Sequence, residues 1–281
     1  MLNPLFPEIA GPIGIFDSGY GGLTILQEIR QLLPQYDYMY LGDNARAPYG
    51  SRSFEVVYKF TSQAVLKLFE QGCHLVILGC NTASAKALRS IQEQVLPELC
   101  PDRRVLGIIR PTAECIGHLT TTRHIGVLAT EGTIRSHSYD MEVGKLFPDI
   151  KVSGQACPLW AAIVEAGEAD SGGADFFVKK RITQLMAQDP EIDAIVLGCT
   201  HYPLLMKSID KAKPENVRIV PQGAYVANSL KDYLHRHPEM DEKCTKNGTC
   251  RYLTTESVER FNECAQLFLK EEIEAENVTL E

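Results

Sequence analysis

Two apolar runs of this sequence, residues 75–80 and 194–199, both end in Gly-Cys and limit the possible fold more than any other feature. A short run of Val, Ile and Leu bounded by glycine predicts a strand that is buried on both faces, which is typical of parallel sheets. Cys80 and Cys199 would then stand at the carboxyl ends of their strands, where open α/β sheets bind ligands. We therefore expect one site that both halves of the chain supply.

The rest of the chain alternates between strand and helix patterns, which predicts an α/β fold. We expect two pseudo-symmetric domains, each a mostly parallel sheet flanked by helices, with the active site in the cleft between them. A crossover is expected at Arg110-Pro111, because proline restricts the residue before it, and a return crossover at Pro221-Gln222-Gly223. The first domain would comprise residues 1–110 plus 224–281, and the second domain residues 111–223.

Helix ends are marked by particular residue types. A helix that follows Ser53 is expected to stop before Gly72, since glycine favours the left-handed conformation just past a helix. The next helix is expected over residues 83–95. Asn81 and Thr82 precede it, and the ordinary interpretation of both is that they cap its N-terminus.

Further elements are predicted after the first crossover and in the C-terminal part of the chain. After Arg110-Pro111 a helix is predicted over residues 112–119. A strand over residues 250–253 and a helix over residues 258–269 would complete the first domain. The glutamate-rich residues 270–281 are expected to fray or to lie solvated on the surface.

The composition is that of a soluble globular protein, with 44% hydrophobic and 23% charged residues. The formal net charge of −8 argues against a nucleic-acid partner, because such proteins need a basic face. Residues 1–16 contain three prolines and no basic flank, so they resemble neither a signal peptide nor a membrane anchor. We expect a cytoplasmic protein that binds neither nucleic acid nor membrane.

The chain has nine cysteines, an odd number without CxxC pairs. This pattern favours reduced thiols over a disulfide framework. Most are expected to be packing residues, since a free cysteine behaves as a small buried hydrophobe. For Cys80 and Cys199 the matched position at two strand ends makes a functional role the better interpretation.

Acid and base catalysis suits two such thiols better than redox or metal chemistry. A redox pair normally shows CxxC, and zinc needs three or four clustered ligands, so neither use is indicated. Moving a proton α to a carboxylate from one face to the other needs one deprotonated and one protonated group. A thiol pair supplies both, because the cysteine pKa of about 8.5 falls at helix N-termini.

Polar residues near each thiol are candidates to hold its proton. We expect Asp17 beside Cys80, and His201 or Glu165 beside Cys199. Backbone N–H groups at the helix N-termini that follow the two cysteines would bind the substrate carboxylate.

Two loops at strand ends have binding character. Residues 17–22, Asp-Ser-Gly-Tyr-Gly-Gly, connect a strand to a helix, but they lack the spacing of a phosphate loop and begin with a carboxylate. We interpret them as a loop that meets a cationic or proton-bearing group, and the alternative is a tight turn with a capping Asp17. Residues 42–51 form a long polar loop of the kind that carries binding residues.

Together the motifs resemble the cofactor-independent glutamate racemases of the Asp/Glu racemase superfamily. The matching motifs are Phe16-Asp17-Ser18-Gly19 with Gly21-Gly22, Asp43 through Ala45-Arg46 to Pro48-Tyr49-Gly50, Gly79-Cys80-Asn81-Thr82-Ala83, Leu128-Ala129-Thr130, and residues 197–205 (Leu-Gly-Cys-Thr-His-Tyr-Pro-Leu-Leu). They extend over residues 13 to 205.

The resemblance implies an isomerase that interconverts L- and D-glutamate without pyridoxal phosphate or metal, supplies D-glutamate for bacterial peptidoglycan, and forms a homodimer. It implies that Cys80 and Cys199 are the two bases, assisted by Asp17, His201 and Glu165. The substrate contacts that it implies are Ser18, Pro48, Tyr49, Gly50, Asn81, Thr82, Thr130 and Thr200.

The chain departs from the family pattern at three places. The segment before Glu165 reads Ala-Ala-Ile-Val where the family has a sequence closer to Val-Pro-Leu-Val, so Glu165 is the assignment with the weakest motif. Residues 221–223 read Pro-Gln-Gly where the family often has Asp-Ser-Gly, and Arg110 replaces the usual residue after its strand.

Two alternatives to glutamate racemisation stay open. One is racemisation of aspartate or a hydantoin, and the other is a non-catalytic binder of small molecules.

Overall fold

The computed structural model describes residues 6–280 and contains two parallel sheets covered by helices. Residues 1–5, part of the segment compared above with signal peptides, and residue 281 lie outside the described residues. The larger sheet has the strand order β10-β9-β2-β1-β3-β4, and the smaller sheet has the order β6-β5-β7-β8. The expected fold class is confirmed.

The strands are β1 (Ile13–Asp17), β2 (Tyr38–Gly42), β3 (Leu75–Leu78), β4 (Arg104–Gly107), β5 (His124–Ala129), β6 (Lys151–Ala156), β7 (Ala194–Gly198), β8 (Arg218–Val220), β9 (Cys250–Thr254) and β10 (Ala275–Asn277). The α-helices are α1 (Leu23–Leu32), α2 (Phe54–Glu70), α3 (Asn81–Lys86), α4 (Leu88–Ser90), α5 (Leu96–Leu99), α6 (Ile109–Ile116), α7 (Glu131–Arg135), α8 (Ser138–Leu146), α9 (Trp160–Glu165), α10 (Gly172–Gln188), α11 (Met206–Ala212), α12 (Gly223–Arg236), α13 (Pro238–Asp241) and α14 (Val258–Leu269).

The two sheets repeat one topology. The order β2-β1-β3-β4 in the larger sheet corresponds strand by strand to β6-β5-β7-β8 in the smaller one. Every residue of β3 and β7, the strands that lead to Gly-Cys, is buried, as is expected for central strands covered on both faces. The matched cysteines therefore follow equivalent strands of two similar sheets.

The domain boundaries stay a prediction, but the strands divide in the same way. β1 to β4, β9 and β10 come from residues 1–110 and 224–281, and β5 to β8 come from residues 111–223. The helix after the first crossover differs from the expectation of residues 112–119. It begins earlier, at Ile109, and Pro111 lies in its first turn. Proline is tolerated there because a first-turn N–H has no partner within the helix.

The helix expected over residues 83–95 is also different. It begins at Asn81 as α3, is interrupted after Lys86, and continues through a π-helical turn, Ile91–Val95, into α5. The expected ends of α2 are confirmed, since the Ser53 side chain accepts a hydrogen bond from the N–H of Val56 and Gly72 has a φ of 95°.

The acidic tail was expected to fray or to lie solvated on the surface. Its glutamates within residues 270–280 are exposed, as expected, but the segment is not frayed. Ala275–Asn277 form β10, an edge strand parallel to β9. The Arg251 guanidinium of β9 binds both carboxylate oxygens of Glu276, at 3.1 and 2.9 Å. A basic residue on the neighbouring strand thus gives the acidic segment a partner.

None of the helices within residues 6–280 is both long and apolar enough to cross a bilayer.

Candidate active site

Both sheets place their cysteines at the points where the strand order reverses. In the larger sheet β1 lies between β2 and β3, so successive connections leave in opposite directions and open a crevice beyond the carboxyl ends of β1 and β3. β1 ends at Asp17, and Cys80 follows β3. In the smaller sheet Thr130 follows β5 and Cys199 follows β7. Each crevice therefore contains one thiol.

Cys80 is a buried residue that caps α3. Its sulfur accepts a hydrogen bond from the backbone N–H of Ala83 at 3.4 Å and lies 3.4 Å from the Ser18 hydroxyl. Burial raises the pKa of the Cys80 thiol to about 12, and the negative charge of Asp17 acts in the same direction. Cys80 is accordingly held as a neutral thiol near pH 7.

Asp17 is a buried carboxyl group on the same side of the cleft. The backbone N–H of Gly19 donates to its Oδ2 at 2.8 Å. Burial raises the pKa of Asp17 to about 6, although the nearby His201 opposes the shift. A carboxyl group with a pKa near neutrality is suited to take up and release a proton.

Cys199, His201 and Glu165 form a chain of contacts on the opposite side. His201 Nδ1 lies 3.8 Å from the Cys199 sulfur, and His201 Nε2 lies 2.7 Å from Glu165 Oε1. The Phe268 ring of α14 packs edge-on against the imidazole, with ring centres 5.5 Å apart. The sequence left open whether His201 or Glu165 stands beside Cys199, and the structure places them in series.

The imidazole of His201 is a buried cation. Burial by itself would lower its pKa, but the hydrogen bonds to Cys199 and Glu165, together with the negative charges of those groups, raise the pKa to about 10. Both ring nitrogens then carry protons, one directed at Cys199 and one at Glu165. A cation in this position stabilises a negative charge on the Cys199 sulfur.

The two sides are close enough to interact. The charge of Cys199 is one of the causes that raise the pKa of Cys80. A Cβ atom built on Gly19 would lie 3.7 Å from Glu165 Oε1 and 4.0 Å from Asp17 Oδ2. The acidic residues of the two sides therefore approach the same backbone segment from different directions.

The loop after β1 touches the Cys199 side directly. A Cβ atom built on Gly21 would lie 2.3 Å from the Thr200 hydroxyl oxygen and 2.4 Å from His201 Nδ1, so only glycine fits there without displacement. The Thr24 hydroxyl donates to the backbone oxygen of Thr200 at 3.0 Å. Thr200 is itself buried.

Asn81 and Thr82 do not cap α3, contrary to the ordinary interpretation of their positions. Cys80 is the cap residue, which leaves the side chains of Asn81 and Thr82 free for contacts across the cleft. The Thr82 hydroxyl lies 2.9 Å from the hydroxyl of Thr130, the cap of α7. Three of the residues implied as substrate contacts therefore lie near the boundary between the two sheets.

Two residues near this boundary carried no functional prediction. The Tyr139 hydroxyl donates to Asn81 Oδ1 at 2.7 Å, and Asn81 Nδ2 donates to Gln222 Oε1 at 2.6 Å. Tyr139 lies in a helix without any motif, so the sequence held no signal for it. Gln222 had one signal, its departure from the family's Asp-Ser-Gly.

The loop with Pro48, Tyr49 and Gly50 contributes mainly backbone to the cleft. The Tyr49 hydroxyl donates to Asp43, so it is already engaged inside the protein. The backbone oxygen of Gly50 accepts from the N–H of Gly132 at 2.8 Å, which joins the loop to α7. Pro48 is exposed.

Arg110 makes ion pairs with Glu114 and Glu142, at 2.8 and 3.2 Å. It borders a cavity of about 610 Å³ whose lining includes neither Cys80 nor Cys199.

All nine cysteines of the chain are free thiols. Within residues 6–280 no group of three or more His, Cys, Asp or Glu side chains is arranged to hold a metal ion.

Comparisons with known protein sequences and with solved structures both find racemases. The family model for Asp/Glu/hydantoin racemases matches residues 22–228. A glutamate racemase of Roseobacter denitrificans is 41% identical over 272 residues, which cover 93% of this chain and 98% of that protein. The crystal structure of a glutamate racemase isoform from Bacillus anthracis has a TM-score of 0.85 at 35% identity, and covers 96% of this chain and 98% of its own. A Francisella tularensis glutamate racemase in complex with D-glutamate has a TM-score of 0.85 at 31% identity, with the same coverage.

Proposed function

The chain belongs to the Asp/Glu/hydantoin racemase family, and we propose that it interconverts L- and D-glutamate by proton transfer between two thiols. The observation that carries this proposal is the pair of strand-end cysteines in unlike environments. Cys80 is a buried neutral thiol, and Cys199 contacts the His201 cation. The environments therefore differ in the way that an acid and a base acting together require.

In the first step Cys199, as the thiolate, takes the proton from Cα, and the electron pair of the broken C–H bond stays on the substrate. In the second step the Cys80 thiol gives its proton to the opposite face of Cα and becomes a thiolate. In the reverse direction Asp17 first takes up the proton of Cys80, and the His201 cation gives its Nδ1 proton to Cys199. The Cys80 thiolate then takes the proton from Cα, and the Cys199 thiol gives its proton to the opposite face. The His201 cation, held by Glu165, stabilises Cys199 whenever its sulfur is negative.

The substrate is held by polar groups around the two thiols. Negative charge that develops on the substrate carboxylate in the transition state needs fixed hydrogen-bond donors. Side-chain hydroxyl and amide groups and backbone N–H groups supply them. The donors that we propose are Ser18, Tyr49, Gly50, Asn81, Thr82, Thr130 and Thr200. Pro48, which has no N–H, is proposed as a substrate contact that does not donate.

Racemisation in deuterium oxide tests the activity. Purified protein with L-glutamate and no added cofactor is expected to lose optical rotation while solvent deuterium enters Cα. Aspartate and a hydantoin, compared at equal concentration, are expected to react more slowly. Faster turnover of either would reassign the substrate, and tight glutamate binding without deuterium entry would indicate the non-catalytic binder.

The pH dependence of kcat/KM is expected to be bell-shaped. Activity should rise through about pH 6, because Asp17 must be ionised to accept a proton, and fall as the pH approaches about 10, because His201 then loses its charge. Asp17→Asn should abolish the acidic limb, and His201→Gln the alkaline limb, as measured in pH profiles of each variant. An acidic limb that persists unchanged in Asp17→Asn would contradict the assignment of that pKa.

The wider role that we propose follows from the family resemblance. The chain would supply D-glutamate for bacterial peptidoglycan, act in the cytoplasm as a homodimer, and need no cofactor. We also propose that residues 1–110 with 224–281 and residues 111–223 are its two domains. Light scattering and limited proteolysis test the dimer and the domain boundaries.

A further inference from the structure

A buried hydrogen-bond network connects the two thiol-bearing segments. Gln222 Nε2 lies 2.8 Å from the Thr112 hydroxyl oxygen, 2.8 Å from the Tyr139 hydroxyl oxygen and 3.2 Å from the Ile108 carbonyl oxygen. Gln222 Oε1 accepts from Asn81 Nδ2 at 2.6 Å. Gln222, Thr112, Tyr139 and Asn81 are all buried, so none of these groups has bulk water as an alternative partner.

The direction of every bond in the network follows from one backbone group. The Thr112 hydroxyl donates to the Ile108 carbonyl oxygen at 3.1 Å, so towards Gln222 it can only accept. The Gln222 amide must therefore point its Nε2 at Thr112 and its Oε1 at Asn81.

This orientation in turn determines that of Asn81. Asn81 must direct its Nδ2 at Gln222, and its Oδ1 accepts from the Tyr139 hydroxyl at 2.7 Å. One hydrogen of Nδ2 is then used by Gln222, and the second is left as a donor.

The network touches both sides of the cleft. Asn81 follows Cys80 directly in the chain, at the start of α3. The Tyr139 ring approaches Gly198, which precedes Cys199: a Cβ atom built on Gly198 would lie 3.2 Å from the ring carbon Cε2. Gln222 itself directly precedes α12, which packs against α1 behind the loop of Asp17.

We propose that Gln222 is a positioning residue for racemisation, which acts on Asn81 both directly and through Tyr139 to orient the Asn81 carboxamide towards the substrate carboxylate. Gln222 does not touch the substrate. The Ile108 carbonyl makes the Thr112 hydroxyl an acceptor towards Gln222, and this determines which way the Gln222 amide faces. The Gln222 oxygen then faces Asn81, so Asn81 has a donor rather than an acceptor next to Cys80. This inference rests on the proposed function of the site.

Two variants remove separate parts of the network. Gln222→Met keeps the length of the side chain but removes its hydrogen bonds, and Tyr139→Phe removes one hydroxyl while the ring against Gly198 stays. Each change removes one of the two side-chain hydrogen bonds that hold the Asn81 carboxamide, so we expect KM for glutamate to rise about tenfold, with a smaller change in kcat. Because both residues act through Asn81, the double variant should lose little more than the worse single variant.

Gln188→Met is the matched control, because Gln188 is exposed in α10 and its side chain bonds the Gln155 side chain on the surface. It should leave KM unchanged. Steady-state kinetics of wild type, both singles, the double and the control are measured together with thermal melting.

A purely structural role would lower the melting temperature and the active fraction without changing KM, and unchanged KM in both single variants overturns the inference. Independent, multiplicative losses in the double variant also overturn it. If Gln222→Met does not fold, Tyr139→Phe tests the inference alone: a rise in KM for glutamate supports it, and an unchanged KM overturns it. Wild type that does not racemise glutamate would instead refute the proposed function.

Discussion

Cys80→Ala and Cys199→Ala are each expected to lower the rate of glutamate racemisation by about a thousandfold or more. Each variant lacks the group that takes or gives the Cα proton on one face, and positioned proton transfer contributes about 10²–10⁴ to a rate. The loss should appear in kcat for both directions, because the thiols exchange roles when the reaction is reversed. Polarimetry with L- and with D-glutamate measures it.

Deuterium exchange separates the two thiols. With Cys80 removed, Cys199 can still take a proton from its own face and return deuterium there, so one enantiomer should exchange without inversion. The other variant should exchange the opposite enantiomer. Cys115→Ala is the matched control, since Cys115 is a partly buried thiol of α6 outside the site. Retention of more than about a tenth of wild-type turnover by both site variants would refute two-thiol catalysis.

Gly21→Ala is expected to lower kcat/KM about a hundredfold or more. The added methyl group would lie 2.3 Å from the Thr200 hydroxyl oxygen and 2.4 Å from His201 Nδ1, closer than real Cβ contacts. Something must shift, and one of the groups nearest the methyl is His201, which contacts Cys199. Displacement of catalytic groups by about 1 Å costs about 10²-fold in rate. Steady-state kinetics, with circular dichroism to verify folding, measure the effect.

Gly144→Ala is the control for this substitution. Gly144 lies exposed in α8, and a Cβ atom there would meet nothing within 4 Å. Alanine in that helix should leave the kinetics unchanged and raise stability by about 1 kcal/mol, since alanine is the better helix former. Near-normal kinetics in Gly21→Ala would show that the contact with Thr200 and His201 is not needed.

Some errors of the sequence predictions share one cause, which is that a local pattern is overruled by a partner distant in the chain. The acidic composition of residues 270–281 suggested a frayed tail, but Ala275–Asn277 pair with β9 and Arg251 on that strand gives Glu276 a partner. Asn81 and Thr82 look like caps because of their type. Cys80 performs that role, and their side chains bond residues from across the cleft.

The sequence by itself determined the fold class and the position of both thiols. Strand burial and strand ends are local properties, which short apolar runs and glycines specify, and parallel strands bring their carboxyl ends to one edge. It also identified His201 and Glu165, but not their order. Only the tertiary structure decided that His201 lies between Cys199 and Glu165, that Gly21 lies against Thr200, and that Gln222 and Tyr139 bond the Asn81 side chain. These contacts join residues from different elements, and the direction of a hydrogen bond depends on which groups folding brings together.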